Sequence, residues 1–259
     1  MKPIDIINVA GLLMDGENDG IEKELREKVQ PRYLKTVAPT PISSAMEHTS
    51  RAVERLVLMI RDVVRDIESQ FDEPNLFIVG RSFAAYVAHL ALIADNEFSL
   101  KKVSRAILIE GPLHPEVLVE PPKFPVLPPF FPQLPFLPLT ACGAHYKLRP
   151  ELAQEAANRL QELGTSHLVL VQGGCEDSIV PVEAQTLPGD FETIELSNDD
   201  LSRIHPANGQ GIIVKLPPHI GGRSGGIRRI FPVGLRNHLF WSKAKMEMIR
   251  RIIERAADS

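Results

Sequence analysis

The segment Gly80-Arg81-Ser82-Phe83-Ala84 sets a serine between two small residues, one two positions before it and one two positions after. A serine hydroxyl is a weak nucleophile until a base takes its proton and the side chain projects clear of the backbone. A sharp turn from strand to helix projects it, and crowds the neighbouring backbone so closely that the flanking positions must be small. The same turn aims the amide of Phe83 and the N-terminus of the next helix at negative charge developing on a carbonyl oxygen. The chemistry served by such a set is acyl transfer. The plainer use of a serine at this point is to cap the helix that follows.

The turn needs a strand before it and a helix after it. Leu76, Phe77, Ile78 and Val79 form a short apolar run of strand-favouring residues, and the run from Phe83 to Ala94 is a helix apolar on most faces, hence well buried. Further strands are expected at Ile4–Val9, Tyr33–Ala38, Ser104–Glu110, His167–Val171 and Phe191–Leu196, with another at Ile227–Val233. Helices are expected at Ile21–Val29, Ser44–Ser69, Glu151–Leu163 and from about Trp241 to Ala256. In the second of these, Val53, Leu56, Val57, Ile60, Val63, Val64 and Ile67 share one face. Strands alternate with helices, which predicts an α/β fold with a mainly parallel central sheet and helices on both faces. One domain is expected over 1–259, interrupted by a proline-rich insertion at 112–149 and a Gly/Arg-rich one at about 198–226.

Composition narrows the class. A net charge of −4 gives no basic surface for nucleic acid. The two cysteines, Cys142 and Cys175, make neither a disulfide framework nor a zinc spacing. Cys142 and His145 lack further ligands, so no metal is expected, and no motif calls for a cofactor. The N-terminal run is broken by Asp5 and Asn8, and no stretch reaches membrane-spanning length, so the expected location is cytoplasmic.

In order, spacing and ending, these segments resemble the α/β-hydrolase family over most of the chain. The resemblance implies a triad in the order serine, acid, histidine. It assigns the nucleophile to Ser82 and the acid to Asp177, in the D-x-x-V-P context after the strand HLVLV, with Glu176 as the neighbouring alternative. Three histidines follow: His205, His219 and His238. His238 stands before the final amphipathic helix, where the family's base usually lies, whereas His205 precedes Pro206 and His219 lies in a Gly-rich loop. The second oxyanion amide is implied in Ala10-Gly11-Leu12-Leu13, at Leu12 or its neighbour Leu13, beside that of Phe83. More narrowly, QGGCEDSIV and NHLFWSKAKMEMIRRII resemble the acid and histidine segments of lipase-like GPI-inositol deacylases, although GRSFA differs from their GHSMGG-type elbow.

Residues 121–139, PPKFPVLPPFFPQLPFLPL, repeat proline mostly at three-residue steps. Proline removes backbone donors, so an extended polyproline-like path is expected. As a lid, this segment would bring Phe124, Phe130, Phe131 and Phe136 to an acyl pocket or a membrane surface; as a crossover it would pack on the core. A proline-rich ligand for a partner domain is a third use. Gly221–Gly226 with Arg228 and Arg229 could cradle an anion, though a loop is the commoner role of such a stretch. His89 is expected in the core.

The expected function is a serine hydrolase cleaving a carboxylic ester, lipid-like or acyl-chain in character, by an acyl-enzyme on Ser82. The expected partners are small-molecule esters or lipids, with peripheral membrane contact through the proline/phenylalanine-rich segment. The alternatives are a non-catalytic binding or scaffold protein on the same fold, or an acyltransferase using the same triad.

Overall fold

The computed structural model describes residues 3–10, 20–39, 49–113, 168–172, 185–186, 192–195, 213–215, 228–230 and 243–258. Among the described residues, six parallel strands make the central sheet: β1 (Asp5–Val9), β2 (Tyr33–Val37), β3 (Leu76–Arg81), β4 (Val103–Ile109), β5 (Leu168–Gln172) and β6 (Glu192–Glu195). Their spatial order is β2-β1-β3-β4-β5-β6. Four α-helices are described: α1 (Gly20–Lys28), α2 (Thr49–Gln70), α3 (Phe83–Ala94) and α4 (Lys243–Asp258).

Parallel strands covered on both faces need apolar side chains pointing both ways, so they read as continuous apolar runs. All five residues of β1 and the first five of β3 are buried. Alternate residues then divide between two cores. Ile7, Val9, Leu76 and Ile78 pack with the buried faces of α2 and α3. Ile6, Phe77, Val79, Ile107 and Val171 pack with Leu25 of α1 and Ile249, Ile252 and Ile253 of α4. Helices therefore cover both faces, as expected. On α2, Val53, Leu56, Ile60, Val63, Val64 and Ile67 are buried and Val57 is partly so.

The amino ends of the strands are tied by charge. Asp5, fully buried, accepts from Arg32 through both oxygens (Nε–Oδ1 2.9 Å, Nη2–Oδ2 2.5 Å) and from the Asn75 amide at 3.0 Å. A buried carboxylate is tolerated only when so paired. This knot joins the starts of β1, β2 and β3 and sets the register Asp5↔Tyr33 and Asp5↔Leu76. From that register it follows that all three strands end together at the opposite edge.

The chain runs from β1 outward to β2, then returns to the other side of β1 for β3. Open parallel sheets bind ligands beyond the carboxyl ends of the strands at such a reversal. The residue that follows β3 at this edge is Ser82.

Two elements were not expected. After α3 comes one π-helical turn, Asn96–Leu100, preceded by Asp95, whose carboxylate accepts from Arg61 on α2 and from the Ser99 hydroxyl. The Arg61 hydrogen bond holds the Asp95 carboxyl below the usual carboxylate range. The other is β7 (Ile213–Lys215), within the stretch expected to be an insertion; it pairs antiparallel with β8 (Arg228–Ile230), which falls inside the strand expected at Ile227–Val233, in a separate two-stranded sheet. The segments 114–167 and 231–242 lie outside the described residues, and with them the helix expected at Glu151–Leu163 and the whole proline-rich run.

Candidate active site

Ser82 has φ 54° and ψ −129°, a left-handed conformation that non-glycine residues adopt at a cost of about 1–3 kcal/mol. It stands at the N-cap position of α3, yet its side chain makes no capping hydrogen bond. A capping serine would keep ordinary extended backbone angles and accept from a first-turn amide. Ser82 does neither, so the capping use is excluded.

The strain is fixed from both sides. The Ser82 amide donates to the Ile109 carbonyl at 2.8 Å, which ties it to the end of β4. Its carbonyl accepts from the amides of Ala85 at 3.0 Å and Tyr86 at 3.4 Å, which starts the helix. Phe83, the first residue of α3, has an amide with no intrahelical acceptor, pointing out of the positive end of the helix. Its side chain is buried and tilted against Tyr86, with ring centroids 6.0 Å apart.

The small-residue rule has a measurable basis here. A Cβ on Gly80 would come within 3.0 Å of the Ala84 carbonyl oxygen and of the Ala85 Cα. A Cβ on Gly111 would come within 2.7 Å of the Ala85 Cβ. Ala84 and Ala85 are themselves buried. The alanine that stands in place of the usual second glycine thus fits, and Gly111, two residues after β4, is a second contact surface of the same turn.

Sequence reading also missed a charge pair at this edge. Arg81, directly before Ser82, donates through Nε to Oε2 of Glu110 at 3.2 Å. Glu110 directly follows β4, has φ 49° and is buried. The two residues are 29 positions apart in the chain, and no local pattern announces such a pairing.

Of the residues expected to carry the chemistry, Ser82 and Phe83 are described. Asp177 and Glu176, His238, His205 and His219, Leu12 and Leu13, and Phe124, Phe130, Phe131 and Phe136 lie outside the described residues. The strand that leads toward Asp177, β5, is parallel to β3 and ends at Gln172 on the edge that carries Ser82. Ala10, two residues before Leu12, donates its amide to the Val37 carbonyl at that edge. Among the described residues, no group of three or more His, Cys, Asp or Glu is placed to hold a metal ion, and no helix is long and apolar enough to cross a membrane.

No family model and no curated protein matches the sequence. Solved structures do match. The hyperthermophilic esterase from the archaeon Pyrobaculum calidifontis aligns with 99% of this chain and 74% of its own, at 12% identity and a TM-score of 0.48. The pyrethroid hydrolase PytH aligns over 99% of this chain and 98% of its own, at 13% identity and a TM-score of 0.46. A cutinase-like protein from Cryptococcus sp. aligns over 43% of this chain, at 12% identity and a TM-score of 0.35, and the chain spans 55% of that protein's length. The parallel sheet with helices on both faces that the α/β-hydrolase resemblance implies is the architecture of this chain, by its own strand order and packing.

His89, seven residues beyond Ser82 on α3, is a core residue. Neither ring nitrogen has a hydrogen-bond partner among the described residues. Burial pushes its pKa down from 6.5 to about 4, so the folded protein holds it neutral. The unfolded chain protonates it near 6.5, so the stability it contributes is complete above that pH. That stability is lost as pH falls from 6.5 toward 4. Urea denaturation should show a loss of about 2 kcal/mol between pH 6.5 and pH 5 from this group. His89→Leu should flatten that dependence; an identical pH slope in the variant would show that the imidazole is not the group responsible.

Proposed function

We propose that the protein is a serine hydrolase of carboxylic esters that works through an acyl-enzyme on Ser82. The observation that carries this reading is the strained, non-capping Ser82 at the carboxyl edge of the sheet, where the strand order reverses. A serine with no chemical task has no reason to occupy φ 54° when glycine would do so without steric strain.

In the proposed mechanism, Ser82 Oγ attacks the ester carbonyl and its proton passes to the imidazole of His238. Asp177 orients that imidazole and stabilises its charged form. The tetrahedral oxyanion accepts hydrogen bonds from the amides of Phe83 and Leu12. Collapse breaks the bond to the alcohol oxygen, which takes the proton from His238 and leaves. Water then attacks the acyl-enzyme, giving its proton to His238, and the acid departs as Ser82 regains its hydrogen. The phenylalanines of the proline-rich segment, Phe124, Phe130, Phe131 and Phe136, favour a lipid-like or acyl-chain substrate. An acceptor other than water would make the same residues an acyltransferase.

Labelling with a fluorophosphonate tests this directly. The wild-type protein should label, and Ser82→Ala and His238→Ala should not. Retained labelling in His238→Ala would pass the role of base to His205. A folded wild-type protein that takes no label would end the enzyme reading in favour of a binding or scaffold role.

A further inference from the structure

We propose that Arg81 and Glu110 are positioning residues that clamp the nucleophile turn in its strained form, and that the rate of acylation depends on their pairing. This inference rests on the reading of Ser82 as a nucleophile. Two adjacent strands, β3 and β4, each run into a non-glycine residue with positive φ: Ser82 at 54° and Glu110 at 49°. Such residues persist only where their surroundings determine them more than once. The backbone supplies part of this. Ser82 N–H bonds to Ile109, and Glu110 N–H bonds to the Val171 carbonyl of β5 at 2.8 Å. The side chains supply the rest, because the residue before Ser82 is salt-bridged to the residue after Ile109.

The clamp is stiff for an electrostatic reason. The Glu110 side chain is 1% exposed and that of Arg81 12%. Leaving a carboxylate buried without its partner costs several kcal/mol, so Arg81 is not free to swing away. A buried pair is a poor source of net stability, since apolar residues of like volume often serve as well or better. Its value here is geometric. It ties the peptide preceding Ser82 to the ends of β4 and β5, and so fixes where Oγ points. Displacing a reacting group by about 1 Å can cost about a hundredfold in rate.

Three variants separate positioning from bulk stability. Glu110→Gln and Arg81→Lys each keep a polar partner, and the double variant Arg81→Met/Glu110→Leu removes both charges together. The observed rate of fluorophosphonate labelling and the steady-state constants on p-nitrophenyl esters are read beside the melting temperature. The expected result is a labelling rate and kcat lower by about 10- to 100-fold in all three, with KM within about twofold. In the double variant the melting temperature should return to or exceed that of the wild type while the rate stays low. A double variant that labels at the wild-type rate would overturn the clamp, as would Arg81→Lys or Glu110→Gln folding and reacting normally. Failure of the wild type to label would instead remove the nucleophile reading, a different and distinguishable outcome.

Discussion

Ser82→Ala is expected to lower ester cleavage by about a thousandfold or more while leaving the melting temperature unchanged. The two halves of this expectation have separate physical origins. The rate falls because alanine offers no oxygen to form the acyl-enzyme; what remains is the activity of water at a site that still binds. Stability is spared because the hydroxyl does not cap α3. A serine that caps a helix contributes about 1 kcal/mol, which its alanine variant loses. Ser82 makes no such bond. Ser82→Gly extends the test. Alanine keeps the Cβ and hence the strain at φ 54°, whereas glycine relieves it. Relief of about 1–3 kcal/mol, less the roughly 1 kcal/mol of extra chain entropy that glycine loses on folding, leaves a net gain near 1 kcal/mol. For a domain of this size that raises the melting temperature by about 2–4 °C. Calorimetry and p-nitrophenyl ester kinetics on the three proteins would check it. A Ser82→Ala protein that melts lower by several degrees with activity intact would return Ser82 to the role of a structural cap.

The parts of this molecule that were legible in the sequence are those whose cause is local. β1, β3 and β4 announce themselves because a doubly covered strand is apolar at most positions, and α2 because one side of a helix must be. The turn at Ser82 is legible because steric crowding leaves a trace in composition, small residues at fixed offsets. Gly111 escaped the same logic. It supports the turn from the next strand, and nothing within five residues of Ser82 refers to it. Arg81 and Glu110 escaped for a like reason: an ion pair between strand ends depends on which strands are neighbours, and that order is a property of the sheet. The Arg61–Asp95 pair beside the π-helical turn after α3 joins two helices, again a contact without a local signature. β7 lies in a Gly- and Arg-rich stretch whose alternation is too weak to mark a strand, whereas its partner β8 falls inside the apolar-edged run expected as a strand at Ile227–Val233. The candidate site divides in the same way. The proposed nucleophile and one proposed oxyanion amide are local to a single turn, while the proposed acid and base are joined to it only through the family resemblance.

Gly80→Val is expected to cost about 3 kcal/mol or more in stability and to take activity with it. The reason lies in what the new side chain would meet. The Cβ alone comes within 3.0 Å of the Ala84 oxygen and the Ala85 Cα and 3.1 Å of the Ala84 carbonyl carbon, all of them backbone atoms. A crowded side chain can rotate away; backbone in the first turn of α3 cannot move without carrying the helix. That helix is buried along most of its length against α2, and β3 is hydrogen-bonded on both sides by β1 and β4, so neither partner can yield cheaply. Valine then adds two methyl groups to a space that lacks room for one. Gly111→Ala provides the contrast. Its Cβ would meet a side-chain atom, the Ala85 Cβ at 2.7 Å, so adding Ala85→Gly should recover much of the loss. Ala85→Gly should do little for Gly80→Val, because the Ala84 oxygen and the Ala85 Cα remain in place. Thermal melts of the single and double variants measure this difference. With about 2–4 °C per kcal/mol, Gly80→Val should melt roughly 6–12 °C lower than wild type. A melting point within about 2 °C of wild type would mean that α3 can slide from the end of β3. A turn able to slide in that way could not hold Ser82 in its strained conformation, and the chemistry proposed for it would lose its support.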